Sequence, residues 1–204
     1  MKKIFTVATF LPTVLFAQDL VFGVPQYYGP GCPIDSIVPA ISPDGNAESL
    51  LFDQFNHTAN FDTGSSRITC QINIPFSTLR PTLVQADYRG FDDIPGGAYT
   101  SLRVSYALDL DAPVSHFDSV YGPDTTEYTL SHQLNITCNG TRILKLFVDS
   151  FLSSSSSTRA TYMLSSIDLA KTQTPDSPLQ LCNSAAGFST WAALAVSLVA
   201  LLGL

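Results

Sequence analysis

The sequence predicts an all-β fold, an antiparallel β-sandwich of immunoglobulin-like or jelly-roll type stapled by two disulfides, and three observations carry that expectation. Apolar and polar residues alternate with a period of two: in residues 66–76, Ile68, Cys70, Ile72 and Ile74 fall on one side and Arg67, Thr69, Gln71 and Asn73 on the other. That is the pattern of a half-buried antiparallel strand. Turn chemistry recurs every dozen residues or so, and helical periodicity is convincing nowhere. The chain of 204 residues, 45% hydrophobic and 11% aromatic, is long enough for one substantial core, which favours a single domain.

Taken in order, Lys2 and Lys3 precede an apolar run over 4–16 and a small Ala17. This is the order of a secretory signal peptide, residues 1–17. The body, 18–182, opens with a short apolar strand over 36–41, and Pro43-Asp44-Gly45-Asn46 then supplies turn chemistry. A strand over 47–55 follows. Asp62-Thr63-Gly64-Ser65 reads as a hairpin loop before the strand at 66–76, and 82–88 is strand-like until Asp92-Asp93-Ile94-Pro95-Gly96-Gly97 breaks it. Over 98–110, Leu102, Val104, Tyr106, Leu108 and Leu110 share one face. Gly122-Pro123-Asp124 marks a turn, and strands at 125–137 and 141–152 flank Asn139-Gly140, the strongest short hairpin signal there is. Five serines at 153–157 form a loop before an extended stretch at 158–169. The expected core is Ile68, Ile72, Ile74, Leu102, Val104, Tyr106, Leu130, Leu134, Leu144 and Leu146.

The far end reads as a second processing signal. Asn183-Ser184-Ala185-Ala186-Gly187 leads into an uncharged apolar tail that runs to Leu204. A spanning helix is normally held by basic residues on its cytoplasmic side, so residues 183–204 match a glycosylphosphatidylinositol (GPI) attachment signal instead, with Asn183 or Ser184 taking a lipid anchor that ties the protein to the membrane.

The four cysteines, Cys32, Cys70, Cys138 and Cys182, all lie in the body, and an even count in a secreted chain reads as two disulfides. Three pairings are possible. Cys70 with Cys138, both on core-facing strand positions or just past a strand end, and Cys32 with Cys182, tying the chain ends together, is the favoured set. Three N-glycosylation sequons begin at Asn56, Asn135 and Asn139, and the strand phase puts Asn135 outward, as a glycan requires. Removing the two leader lysines from the 10 basic residues leaves 8 against 17 acidic, a balance of −9. That excludes nucleic acid as a partner and rules out electrostatic attraction to anionic lipid.

Gly31-Cys32-Pro33, Phe52-Asp53-Gln54-Phe55, Arg67 with Cys70, Ala86-Asp87-Tyr88-Arg89-Gly90-Phe91, Tyr106, and Tyr121-Gly122-Pro123 before Tyr128 resemble, in order and spacing, a fungal secreted family called domain of unknown function 4360. The similarity runs from Gly29 to Cys182. It departs at Thr137-Cys138-Asn139-Gly140, where the family has Ser-Pro-Cys-Gly, and at Leu179-Gln180-Leu181, which lacks the usual tryptophan before the last cysteine. The resemblance implies a secreted fungal protein of unknown activity, with no catalytic residue to carry over.

Few residues suggest chemistry. Asp62-Thr63-Gly64 is the peptide of pepsin-like proteases, but that chemistry needs two carboxylates sharing a proton, and no second Asp-Thr-Gly or Asp-Ser-Gly exists. His57, His116 and His132 would be a metal set only if brought together, and His132, in phase with Leu130 and Leu134, reads as an internal histidine satisfied by a hydroxyl or carbonyl. Asp109, Asp111, Asp118 and Asp124 read as solvated loop acids, since no EF-hand spacing joins them. Arg89 near Asp87 reads as capping a sheet edge. No cofactor or metal is expected. The expected function is a non-catalytic, structural or glycan-contacting protein of the cell surface or wall, its partners wall polysaccharide or surface proteins; a secreted effector is the alternative and an Asp62 protease a remote one.

Overall fold

The structure, a computed structural model, describes residues 20–172 together with the backbone of 179–181. The expected leader at 1–17, Cys182, Asn183, Ser184 and the apolar stretch that follows lie outside the described residues. Among the described residues there is no helix. The strands are β1 (Leu20–Phe22), β2 (Gln26–Tyr28), β3 (Ile37–Ile41), β4 (Ala47–Phe52), β5 (Asn56–Ala59), β6 (Ser65–Thr78) and β7 (Thr82–Ile94). They continue as β8 (Ala98–Leu108), β9 (Val114–Tyr121), β10 (Asp124–Ile136), β11 (Gly140–Ser154), β12 (Ala160–Thr172) and β13 (Leu179–Leu181).

Two sheets form. One runs β1-β6-β11-β8-β9 with β2 also on β6, and the other β13-β10-β7-β12-β4-β3 with β5 also on β12. The long strands pair in a nest: β4 with β12, β6 with β11, β7 with β10, β8 with β9, all antiparallel. A ladder of nested pairs wrapped so that alternate pairs fall in opposite sheets is a jelly roll, which decides between the two sandwich types the sequence left open. β13 adds to β10 in parallel.

The period-two pattern becomes the core. Ile68, Cys70, Ile72, Ile74 and Phe76 of β6 point inward beside Leu144, Leu146 and Val148 of β11 and Leu102, Val104 and Tyr106 of β8, meeting Val84, Ala86 and Tyr88 of β7 from the other sheet. All the expected core residues are buried except Leu130, which is half-buried and packs on the core's rim.

Four expectations are corrected. The Asn139-Gly140 hairpin is absent: β10 and β11 belong to different sheets, so this connection is a crossover, and Gly140 supplies a φ of +92° for it. Asp62-Thr63-Gly64-Ser65 also carries the chain between sheets, from β5 to β6, with the Gly64 amide bonded to the Asn60 carbonyl at 2.8 Å. Both sites need a tight turn, and the local signal does not report which sheet the next strand joins. Strand β8 ends at Leu108 because Asp109 takes a φ of +48°, leaving Leu110 95% exposed. Arg89 caps no edge, since β7 lies between β10 and β12; it reaches Asp168 at 3.4 Å.

The favoured disulfide pairing is overturned as well. Cys32 is bonded to Cys70, with Cα atoms 5.5 Å apart. The reason is local: the Gly31 amide bonds the Thr69 carbonyl at 2.9 Å, and Gly29 lies so close to Thr69 that a Cβ would stand 2.5 Å from that carbonyl. These glycines press the segment after β2 onto β6 beside Cys70. Among the described residues this is the one disulfide joined at both ends. Cys138 is disulfide-bonded too.

Candidate functional site

Because side chains alternate across a strand, every inward core residue of β6, β11, β8 and β9 leaves an outward neighbour, and cross-strand register sorts these into rows. One row reads Thr69, Asp149, Arg103, Phe117 and the next reads Arg67, Phe151, Ser101, Ser119. On the other side lies Tyr28, Gln71, Phe147, Ser105, Ser115. Asp149 is the centre. Arg67 donates to it in fork geometry, Nε to Oδ1 at 2.8 Å and Nη2 to Oδ2 at 2.7 Å, while Arg103 Nη2 donates to Oδ2 at 2.6 Å. The hydrogen bonds from Arg67, reinforced by Arg103, hold the Asp149 carboxyl below its ordinary range against the opposing effect of burial. Its side chain is 14% exposed, whereas the two arginines are 59% and 50% exposed. The carboxylate is thus a fixed base that orients two guanidinium groups toward solvent.

Shallow hollows flank this cluster. One of about 300 Å³ is lined by Tyr28, Gln71, Phe147 and the Arg67–Asp149–Arg103 group, and one of about 320 Å³ by Ser101, Phe117, Phe151 and the same group. Tyr28, Phe117 and Tyr121 are 55%, 66% and 72% exposed. Tyr121 stacks on Tyr99 at 5.7 Å, which fixes its ring. Planar aromatic faces beside hydrogen-bonding side chains on a rigid sheet suit a flat, amphipathic ligand.

The interior offers a contrast. A cavity of about 40 Å³ lies between Asp92, Thr100, Asp118, Tyr128 and Tyr162, room for a water and not for a ligand. Tyr88 Oη lies 2.6 Å from Tyr106 Oη, which lies 2.7 Å from His132 Nδ1. His132 is therefore the hydroxyl-satisfied internal histidine that its phase suggested, and His116 stacks on it at 4.0 Å. His57 is elsewhere, its ring nitrogens 3.2 Å and 2.9 Å from the hydroxyls of Ser66 and Ser150. Burial pushes His57 and His132 down to about 4.

Asp109 engages Arg142 at 3.0 Å and the Ile143 amide at 3.0 Å, while Asp118 lies 3.7 Å from His132. Among the described residues no three His, Cys, Asp or Glu side chains are arranged to hold a metal ion. Asp62 is exposed on its turn. Asn56 and Asn139 are exposed and Asn135 is half-buried.

The outward cluster was missed because none of its residues forms a motif. Its one sequence signal is β9, where Val114, His116, Asp118 and Val120 alternate with Ser115, Phe117, Ser119 and Tyr121. The alternation is regular but too polar to read as a strand.

The chain belongs to the family described as domain of unknown function (DUF4360), whose model matches residues 19–182. It is 27% identical over 117 residues to an uncharacterized secreted protein of Arthroderma benhamiae, covering 54% of this chain and 48% of that one. The chain therefore spans about half the length of that curated relative. Two solved structures are similar: TmCBM61, in complex with β-1,4-galactotriose (14% identity, TM-score 0.35, covering 74% of this chain and 91% of that one), and TmCBM27, a carbohydrate-binding module studied for mannan recognition (11%, 0.34, 76% and 99%). At these scores no residue of either maps onto the site described above.

Proposed function

We propose that this is a secreted, non-catalytic protein that contacts glycans through the outward side of the sheet containing β6, β11, β8 and β9. One observation carries the reading: exposed Tyr28 and Phe117 line hollows beside an Arg67–Asp149–Arg103 group that is held by its own hydrogen bonds, and exposed Tyr121 lies further along the same side of β9. A sugar ring offers an apolar C–H face to such rings and vicinal hydroxyls to such polar groups. The leader at 1–17, the Cys32–Cys70 bond, which persists in oxidising compartments, and the description of the Arthroderma relative as secreted support export.

Retention of the secreted protein on a panel of wall polysaccharides is the test. Phe117→Ala and Tyr28→Ala, both at exposed positions, are expected to weaken binding about tenfold each at unchanged melting temperature, the order of one lost aromatic contact. No binding across the panel, or binding that ignores both substitutions, sinks the reading.

Surface tethering and glycosylation complete the proposal. Asn183 or Ser184 takes a GPI anchor, so phosphatidylinositol-specific phospholipase C releases the protein from cells; mass spectrometry that finds Leu204 retained rejects this. Asn56, Asn135 and Asn139 carry N-glycans, and peptide N-glycosidase F treatment that leaves the mass unchanged rejects that.

A further inference from the structure

We infer that the ligand of this face is a carboxylate-bearing polysaccharide, a polyuronate, gripped by Arg103 and Arg67. The inference rests on the glycan-contacting reading and adds the ligand's charge.

The two outer surfaces of the sandwich are electrically opposite. The outward positions of β7, β10 and β12 carry Asp87, Asp93, Glu127 and Asp168 against one cation, Arg89. Those of β6, β11, β8 and β9 carry Arg67, Arg103 and Lys145 against one carboxylate, Asp149. In a chain of formal charge −7 this concentrates cations on the side that also holds the aromatic rings and the hollows. A neutral glycan gains nothing from that separation, whereas an anionic one is steered to this side and repelled from the other.

The hydrogen bonds agree. Asp149 occupies Nε and Nη2 of Arg67 but only Nη2 of Arg103. Arg103 Nε and Nη1 and Arg67 Nη1 find no acceptor among the described residues, and the side chains of Arg67 and Arg103 are 59% and 50% exposed. Nη2 of Arg103 gives Asp149 only one of its two N–H groups, so the other, paired with Nε or Nη1 on the same edge, leaves a fork that suits a planar carboxylate. Phe117, the cross-strand neighbour of Arg103, lies where the ring bearing that carboxylate would stack.

The experiment compares the secreted protein on polygalacturonate, its methyl ester, neutral β-1,4-galactan and dextran sulfate by affinity electrophoresis at several salt concentrations. Polygalacturonate is expected to bind about tenfold or more tightly than its methyl ester, the order of one charge-assisted hydrogen-bonded contact, with affinity that falls as salt rises. Arg103→Ala should remove that advantage, and Arg103→Lys, which keeps charge but not fork geometry, should remove most of it. Both variants are checked by melting temperature.

If the ester or galactan binds as well as polygalacturonate, the polyuronate assignment fails and glycan contact survives; if no glycan binds, both fail. Dextran sulfate binding as tightly as polygalacturonate reduces the effect to bulk charge and overturns the assignment. So does polygalacturonate binding that Arg103→Lys leaves intact.

Discussion

Glu48 sits on the inward side of β4, 1% exposed, and neither carboxylate oxygen has a hydrogen-bond partner. Burial alone pushes its carboxyl up to about 7 from an ordinary 4.5. The folded protein therefore keeps this proton between those two values while the unfolded chain has released it. Glu48's contribution is fully present below pH 4.5 and is lost as pH rises through about 7, a cost on the order of 3 kcal/mol. His57 and His132 act in the opposite sense. Their folded values of about 4 lie below the ordinary 6.5, so the unfolded chain takes up protons first and stability falls as pH drops from 6.5 toward 4. Glu48→Gln, neutral throughout, isolates the first effect. The difference in melting temperature, variant minus parent, should grow from pH 4.5 to pH 7 and level off above it. A difference that stays constant over that range would show that Glu48 is not held protonated in the fold.

At the scale of the strand, the family's most specific peptides turn out to be packing devices. Gly90 of Ala86-Asp87-Tyr88-Arg89-Gly90-Phe91 lies under Tyr128, and a Cβ there would stand 2.1 Å from the Met163 carbonyl and 2.3 Å from the Tyr128 hydroxyl. Tyr128 itself stacks on Tyr162 at 5.5 Å and donates to its hydroxyl at 2.5 Å. Gly90→Ala should thus destabilise by roughly 2 kcal/mol or more, because one of the clashing atoms is backbone, whereas Gly96→Ala, with nothing within 4 Å, should shift the urea midpoint little. Equal effects from the two would discard this account. Gly31 is similar, its missing Cβ giving room to Phe55, so that Gly31-Cys32, Phe52-Asp53-Gln54-Phe55 and Cys70 meet at one place. The sequence exposed this layer well. Strong alternation fixed the inward faces of β6, β8 and β11, since a slip of one residue would turn Ile68, Ile72 and Ile74 to solvent. Pairing was not legible, because Asn139-Gly140 reports a turn and not its destination. Nor was the binding face, whose members Arg67, Arg103, Phe117 and Asp149 come from four strands and meet only through register.

Across the whole molecule, the nest of strand pairs is closed at the Cys32 end by the bond to Cys70, which spans 38 residues. The other end has its own closure. β13 lies parallel to the end of β10, with Leu179, Gln180 and Leu181 opposite Leu134, Asn135 and Ile136. Cys182 follows Leu181 directly in the chain, and Cys138 comes two residues after Ile136. With Cys32 and Cys70 taken by each other and Cys138 oxidised, Cys182 is the one cysteine left for it. We expect a Cys138–Cys182 bond that encloses β11 and β12 and ties the segment before the apolar tail to the sandwich. The enclosed loop is long, so its loss should cost on the order of 2–4 kcal/mol. Cys182→Ser should lower the melting temperature while leaving the Cys32–Cys70 bond in place, and non-reducing peptide mapping should recover a linked pair containing Asn139 and Asn183. Recovery of Cys138 joined to any other cysteine, or of Cys182 as a free thiol, would reject this closure and leave β13 held to β10 by backbone hydrogen bonds alone.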